Sequence, residues 1–207
     1  MSFRGSRHRL ILLLAVALPA LAGSPETGIN NFYQVDAHVY RGGQPTGEGF
    51  AYLARIGVKT VIDLREADER SRAEERAVTA AGMAYVNVPM TGLTPPTESE
   101  ISKILGILEA DNTGPVFVHC KRGADRTGAV VASYRIDHDH WDNAQALKEA
   151  LAKGMSVFQF PRQDYIRSFQ PHAIAARAAC GSLGGDCQRR YANSKAMRSH
   201  ADWTART

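Results

Sequence analysis

The sequence predicts an α/β fold: a single domain with a central, mostly parallel sheet flanked by helices. Three observations carry this. Short apolar runs at Val58–Leu64, Met83–Val88 and Val116–Val118 alternate with segments of helical apolar spacing. Gly57, Gly82 and Gly154 stand just past the helical segments, where a left-handed residue ends a helix. The chain has 207 residues, 44% of them hydrophobic, enough for one core.

In chain order, Phe32–Val35 and His38–Arg41 read as a short hairpin around Asp36-Ala37, and Gly42–Pro45 as a turn. Phe50, Leu53 and Ala54 fall at helical spacing. Val58–Leu64 is a strand. The charged, alanine-rich run from Glu66 to Ala81 reads as a solvent-facing helix, and Met83–Val88 as the next strand. Residues 89–97 form a loop, and Thr97 with Glu100 makes a capping box. Ile101, Ile104, Leu105 and Leu108 give the following helix one apolar face. Val116–Val118 is a buried strand, and the run after Arg126 a buried helix. Asp142 caps another helix, with Ala146, Leu147, Ala150 and Leu151 inward. Pro161 opens a last one, through Tyr165, Ile166 and Phe169 to about Ala179.

The ends are of a different character. Arg4, Arg7 and Arg9 precede the apolar run Leu10–Leu18, followed by the small-residue site Pro19-Ala-Leu-Ala22. This is the pattern of a secretory signal peptide over residues 1–22, and the run is too short to span a bilayer. An uncleaved N-terminal anchor is the rival reading. Residues 23–31 read as a linker, 32–180 as the folded domain and 181–207 as a basic tail, with Trp203 available to dock back. The full chain carries 25 Lys+Arg against 21 Asp+Glu, for +4. Without the three leader arginines the balance is 22 against 21, or +1, which removes support for nucleic-acid binding. Export to the periplasm or beyond is expected, with Cys180 and Cys187 paired and Cys120 free.

The chemistry concentrates in Pro115-Val-Phe-Val-His-Cys-Lys-Arg-Gly-Ala-Asp-Arg-Thr-Gly128. Strand, tight loop and helix aim backbone N–H groups and a helix N-terminus at an anion. A helix N-terminus and a nearby guanidinium lower the pKa of a thiol such as Cys120, and the thiolate is the nucleophile. The planar fork of Arg126 suits two oxygens of one phosphoryl group. Gly123 allows a turn that a side chain would block. A buried core cysteine beside a solvated arginine would leave the glycines and the spacing unexplained.

His119-Cys-x-x-Gly-x-x-Arg-Thr-Gly128 resembles the active-site loop of cysteine-dependent protein tyrosine and dual-specificity phosphatases. Tyr40–Pro45, Val61–Arg65 and Trp141–Ala146 resemble the compact bacterial dual-specificity type, and the leader is similar to that of periplasmic tyrosine phosphatases. The resemblance covers about residues 32–175. It implies a dual-specificity-phosphatase-like fold and hydrolysis of a phosphorylated protein or small phosphorylated ligand. The implied route is a phosphocysteine on Cys120, with no metal or other cofactor. Phosphate would be held by residues Lys121, Arg122, Gly123, Ala124, Asp125 and Arg126, and Thr127 would hydrogen-bond the departing thiolate. His119 is expected to orient the loop, since period-two geometry turns it from the nucleophile's side.

One departure stands out. The family places an acidic proton donor in the loop after the second core strand, yet residues 89–97 hold no Asp, Glu or His. Asp125, Glu98 and Glu100 are the candidates, Asp125 by analogy with myotubularin-type phosphatases. For Glu100 the capping box is a sufficient role. Lys121 and Arg122, with Arg41 and Arg65 as further candidates, leave an inositol phosphate or phosphoinositide phosphatase as the alternative. A phosphate-binding pseudophosphatase is a third reading. A rhodanese-like sulfur carrier would not need the Arg-Thr-Gly ending.

Overall fold

A computed structural model describes residues 27–110 and 112–172. The expected leader, the Cys180–Cys187 pair and the tail lie outside the described residues.

Eleven elements follow in order among them: β1 (Tyr33–Gln34), β2 (Val39–Gly42), α1 (Gly47–Arg55), β3 (Thr60–Asp63), α2 (Glu69–Ala80), β4 (Ala84–Asn87), α3 (Glu98–Leu108), β5 (Val116–His119), α4 (Asp125–Asp137), α5 (Asn143–Ala152) and α6 (Phe160–Ser168). The strands order as β1-β2-β5-β3-β4. Only β1 runs antiparallel, joined to β2 by the Asp36-Ala37 turn, where Asp36 Oδ1 accepts from the amides of His38 and Val39. The other pairings are parallel, so the carboxyl ends of β2, β3, β4 and β5 share one edge. That edge is where ligands bind in open α/β sheets.

Period two sorts the strand residues onto two cores. Val39, Ile62, Val116 and Val118 face α3, α4, α5 and α6 in the larger core, while Val61 and Phe117 pack with Phe50, Leu53 and Val78 in the smaller. The four apolar residues predicted for α3 are all buried, and burying each such side chain stabilises by about 1.5–3 kcal/mol. Its capping box forms as expected, Thr97 accepting from the Glu100 amide and Glu100 from the Thr97 amide. Helix α4 is buried on nearly every side from Thr127 to Tyr134, so its sequence shows no apolar stripe.

Four expectations change. Helix α2 is not wholly solvent-facing: Ser71, Glu74 and Val78 are buried, and Asp68 caps it reciprocally with Ser71. The expected helix through Phe169 is interrupted: α6 stops at Ser168, where Phe169 leaves helical geometry (ψ 133°), and the expected end near Ala179 lies outside the described residues. Leu151 is only partly buried. The described part of the expected 23–31 linker belongs to the fold: Ile29 is buried in the smaller core, and the Gly43 amide donates to Asn30 O (2.7 Å). Among the described residues no helix is long and apolar enough to cross a membrane.

Candidate active site

Strand β5 pairs His119 with Gly42 on one side and Asp63 on the other, so the chain leaves the sheet at Cys120 between two neighbouring strand ends. The loop then turns back over β2. Gly123 takes φ +68°, and a Cβ there would lie 2.3 Å from Gly42 C and 2.5 Å from Gly43 N. Only glycine fits this crossing. Three donors from distant segments hold it. Arg41 Nη2 (2.7 Å) and Asn31 Nδ2 (2.9 Å) both donate to Gly123 O, and the Gln44 amide donates to Lys121 O (3.3 Å). Asn31 also reaches Lys153 O at 3.0 Å, tying the loop to the end of α5. Helix α4 starts at Asp125 without a side-chain cap, so its first amides are available to an anion.

Cys120 is buried at the floor of this loop. Burial pushes its thiol up. The Thr127 hydroxyl, the amides of Thr127 and Arg122, and the Arg126 charge outweigh that, and the group lies below its ordinary value. Thr127 Oγ1 is buried with no hydrogen-bond partner of regular geometry among the described residues, which leaves the sulfur as its polar neighbour. Arg126 is fixed through one nitrogen: Nη1 donates to Met90 O (3.0 Å), Leu64 O (3.3 Å) and Glu66 Oε2 (3.2 Å). Its Nε and Nη2 make no hydrogen bond among the described residues, so the rest of the fork is available to a phosphoryl group.

Beneath the loop lies a buried charge network. Arg65 forks onto Asp63 (Nε–Oδ1 2.9 Å, Nη2–Oδ2 2.7 Å) and reaches Glu74. Tyr85 donates to Asp63 Oδ2 (2.9 Å) and Gln44 to Glu74 Oε2 (2.8 Å). Glu74 Oε1 lies 2.7 Å from His119 Nε2, and the fully buried His119 ring stacks on Phe117. Asp63, Glu74 and His119 bring possible metal-ligand atoms within 4.8 Å of one another. The Arg65 guanidinium already sits on both carboxylates, so the cluster is built as an ion-pair network rather than a cation cage. His119 faces α2, away from the mouth of the loop, as its strand position predicted, with Nδ1 3.4 Å from Cys120 O.

The structure sorts the remaining candidates. Lys121 and Arg122 are exposed on the rim, and Arg122 is ion-paired to Asp125. The other Asp125 oxygen accepts the Ser156 amide (2.8 Å), so both carboxylate oxygens are engaged. Ala124 is buried at the helix start. Glu100 is occupied by Thr97, and Glu98 lies 3.3 Å from His172. Arg41 does not line the pocket: it lies beneath the loop with Nε and Nη1 unpartnered, and burial lowers its pKa to about 10 against the pull of Glu149 and Cys120. Arg65 is likewise committed to the buried network. Sequence reasoning missed Asn31, Glu66, Glu74 and Ser156. It also missed Arg162, which bonds Thr91 O (2.6 Å) and Gly92 O (2.8 Å) and so clamps the 89–97 loop onto α6.

Residues 20–168 match a family described as DSP-PTPase phosphatase fused to NAD+ kinase. The chain belongs to this phosphatase family. The dual specificity protein phosphatase TpbA of Pseudomonas aeruginosa is 34% identical over 137 residues, covering 66% of this chain and 60% of TpbA. The chain thus spans about three-fifths of the length of the curated relatives it matches first, at 60% and 59%. The crystal structure of P. aeruginosa TpbA in complex with pTyr is similar with a TM-score of 0.62 at 28% identity, covering 80% of this chain and 98% of that one. The core catalytic domain of a PP-IP phosphatase from S. cerevisiae gives a TM-score of 0.63 at 23% identity, covering 75% of this chain and 96% of that one, a likeness of fold. The single α/β domain with a mostly parallel sheet is the architecture these proteins share.

Proposed function

We infer that this chain is an exported cysteine-dependent phosphatase that hydrolyses phosphotyrosine, with phosphoserine and phosphothreonine as further substrates. The observation that carries the reading is the loop itself. A thiol held below its ordinary pKa, uncapped helix amides and a half-engaged guanidinium stand together on the one tight turn between β5 and α4. Cys120 attacks phosphorus in line as the ester P–O bond breaks, and water then cleaves the S–P bond. Arg126 and the amides of residues 121–126 stabilise the charge that develops on the phosphoryl oxygens, and removing one such donor typically costs about 10²–10³-fold in rate. Thr127 donates to the sulfur as it departs. Asp125 anchors the loop to Ser156 and Arg122 in the resting state.

The rim favours an aryl ester. Leu93 (77%), Val157 (63%), Phe158 (79%) and Phe160 (59%) are exposed. Their segments are stitched together by Gln159 Nε2 to Gly92 O (3.3 Å) and joined to the loop through Ser156. Apolar groups beside a phosphate cradle suit a phenyl ring. A ring bearing many phosphates would call on several free cations, and of the two on the rim Arg122 is paired to Asp125 while Lys121 is exposed. TpbA, the relative solved with pTyr, supports the same substrate class. The leader pattern of residues 1–22 supports export to the periplasm as the place of action.

A substrate panel tests the reading. Phosphotyrosyl peptides are hydrolysed faster than inositol phosphates of equal concentration, and vanadate inhibits. Preference for the inositol phosphates contradicts the substrate class, and vanadate-insensitive binding without turnover identifies a pseudophosphatase.

A further inference from the structure

The phosphatase reading leaves one chemical need unmet: the leaving oxygen must gain a proton, and the 89–97 loop offers no acid. Each acid singled out in the sequence is spent elsewhere. Asp125 is held at both oxygens by Arg122 and the Ser156 amide. Glu100 accepts from both Thr97 donors (2.6 and 2.8 Å) as the helix cap. Glu98 lies on the outer face of α3 beside His172. A different carboxylate reaches the arginine of the site. Among the described acidic side chains, Glu66 alone bonds Arg126, with Oε2 3.2 Å from Nη1. It stands in the turn after β3 and is half exposed (53%), within reach of solvent as well as of Arg126. The same nitrogen of Arg126 bonds Met90 O, so Glu66 and the acid-less loop meet at one point.

We propose that Glu66 is the general acid of this site, supplying from the β3–α2 turn the proton that the 89–97 loop lacks. This rests on the phosphatase reading above. In the first step the S–P bond forms on Cys120 and the ester P–O bond breaks, and the Glu66 carboxyl gives its proton to the leaving oxygen. In the second, the resulting carboxylate takes a proton from the attacking water as the S–P bond breaks. Inorganic phosphate leaves, and the thiolate and the carboxyl are restored.

Substrate binding sets the protonation state. In the resting protein the Glu66 amide, and then Arg126, hold the carboxyl below the ordinary range against partial burial. The charged groups that face it among the described residues are Arg126 from α4 and Arg70 from α2. A phosphoryl dianion docked on Arg126 draws away the larger cation and sets negative charge beside the carboxyl. Both changes raise its proton affinity at the moment a proton is needed.

The test compares Glu66→Gln with the unaltered full-length chain on p-nitrophenyl phosphate, a good leaving group, and phenyl phosphate, a poor one. Glu66→Gln is expected to lose about 10²-fold or more in kcat on phenyl phosphate, and only a few-fold on p-nitrophenyl phosphate. The alkaline limb of the phenyl phosphate kcat profile disappears with it. Equal losses on both esters overturn the assignment. So does a gain in rate, which makes Glu66 a brake on Arg126. Asp125→Asn showing the leaving-group dependence instead returns the role to Asp125. Failure of the phosphatase reading has its own signature, no vanadate-sensitive turnover of either ester by the unaltered chain, whereas failure of the Glu66 assignment leaves that turnover intact.

Discussion

Gly123→Ala probes the point where the active-site loop crosses β2. The added methyl would sit 2.3 Å from Gly42 C, where ordinary contact begins near 3.4 Å, so one backbone must move by about 1 Å. Alanine at φ +68° adds about 1–2 kcal/mol of its own. The movement also strains the bonds from Arg41 and Asn31 to Gly123 O, each worth about 1 kcal/mol. The expected loss of stability is about 2–4 kcal/mol, read as the shift in a urea midpoint at constant slope. A misplacement of about 1 Å in a site aligned for in-line attack costs about 10²-fold, read as kcat/KM on p-nitrophenyl phosphate. The thiol should also react more slowly with iodoacetamide near neutral pH, because the Arg122 amide leaves the sulfur. An alanine variant with unaltered midpoint and rate would refute the view that this crossing fixes the loop.

Three further outcomes follow from particular contacts. Arg126→Lys keeps the charge but loses the fork, so kcat/KM falls by about 10²–10³-fold with little change in the thermal midpoint. Asn31→Gly tolerates the φ of +54° at that position while removing the amide from Gly123 O and Lys153 O. It is expected to cost about 1–2 kcal/mol and to slow turnover, and an unchanged urea midpoint would count against a buttressing role. His172 donates its amide to Asp137, and its ring lies 3.0 Å from the same carboxylate. The hydrogen bond to Asp137 raises the imidazole pKa above its ordinary 6.5. A raised folded value gives stability that is fully present below pH 6.5 and lost as pH rises through the folded value. His172→Ala therefore costs up to about 1 kcal/mol at pH 5.5 and little at pH 9, and a pH-independent cost would contradict this.

The sequence carried the contiguous features well. The loop from His119 to Gly128 was legible because strand, turn and helix start are local and each needs particular residue types. The capping box at Thr97 and the apolar face of α3 were legible for the same reason. What escaped was held by contacts distant in the chain. Asn31 lies 92 residues from the glycine it supports. Glu74 sits in a charged helix, and its burial follows from Arg65 and His119 arriving from two strands. The 27–31 stretch reads as a linker by composition, yet it packs because Ile29 finds the smaller core. Helix α4 was found by its apolar content rather than by a stripe, since neighbours cover it on nearly all sides.

The network beneath the loop bears on how rigid the site is. Asp63 and Glu74 carry two negative charges, with Arg65 between them and His119 against Glu74. Removing one partner of such a network leaves an uncompensated buried charge, at about 3–5 kcal/mol. This joins β3, α2 and the strand that delivers Cys120 into one unit.

The most direct measurement is a rapid acid quench of the full-length chain turning over a radiolabelled phosphotyrosyl peptide, followed by mapping of the label. One phosphate per chain on the sulfur of Cys120, absent from Cys120→Ser, is the expected result. Steady hydrolysis by Cys120→Ser, or label on any other residue, would contradict the account.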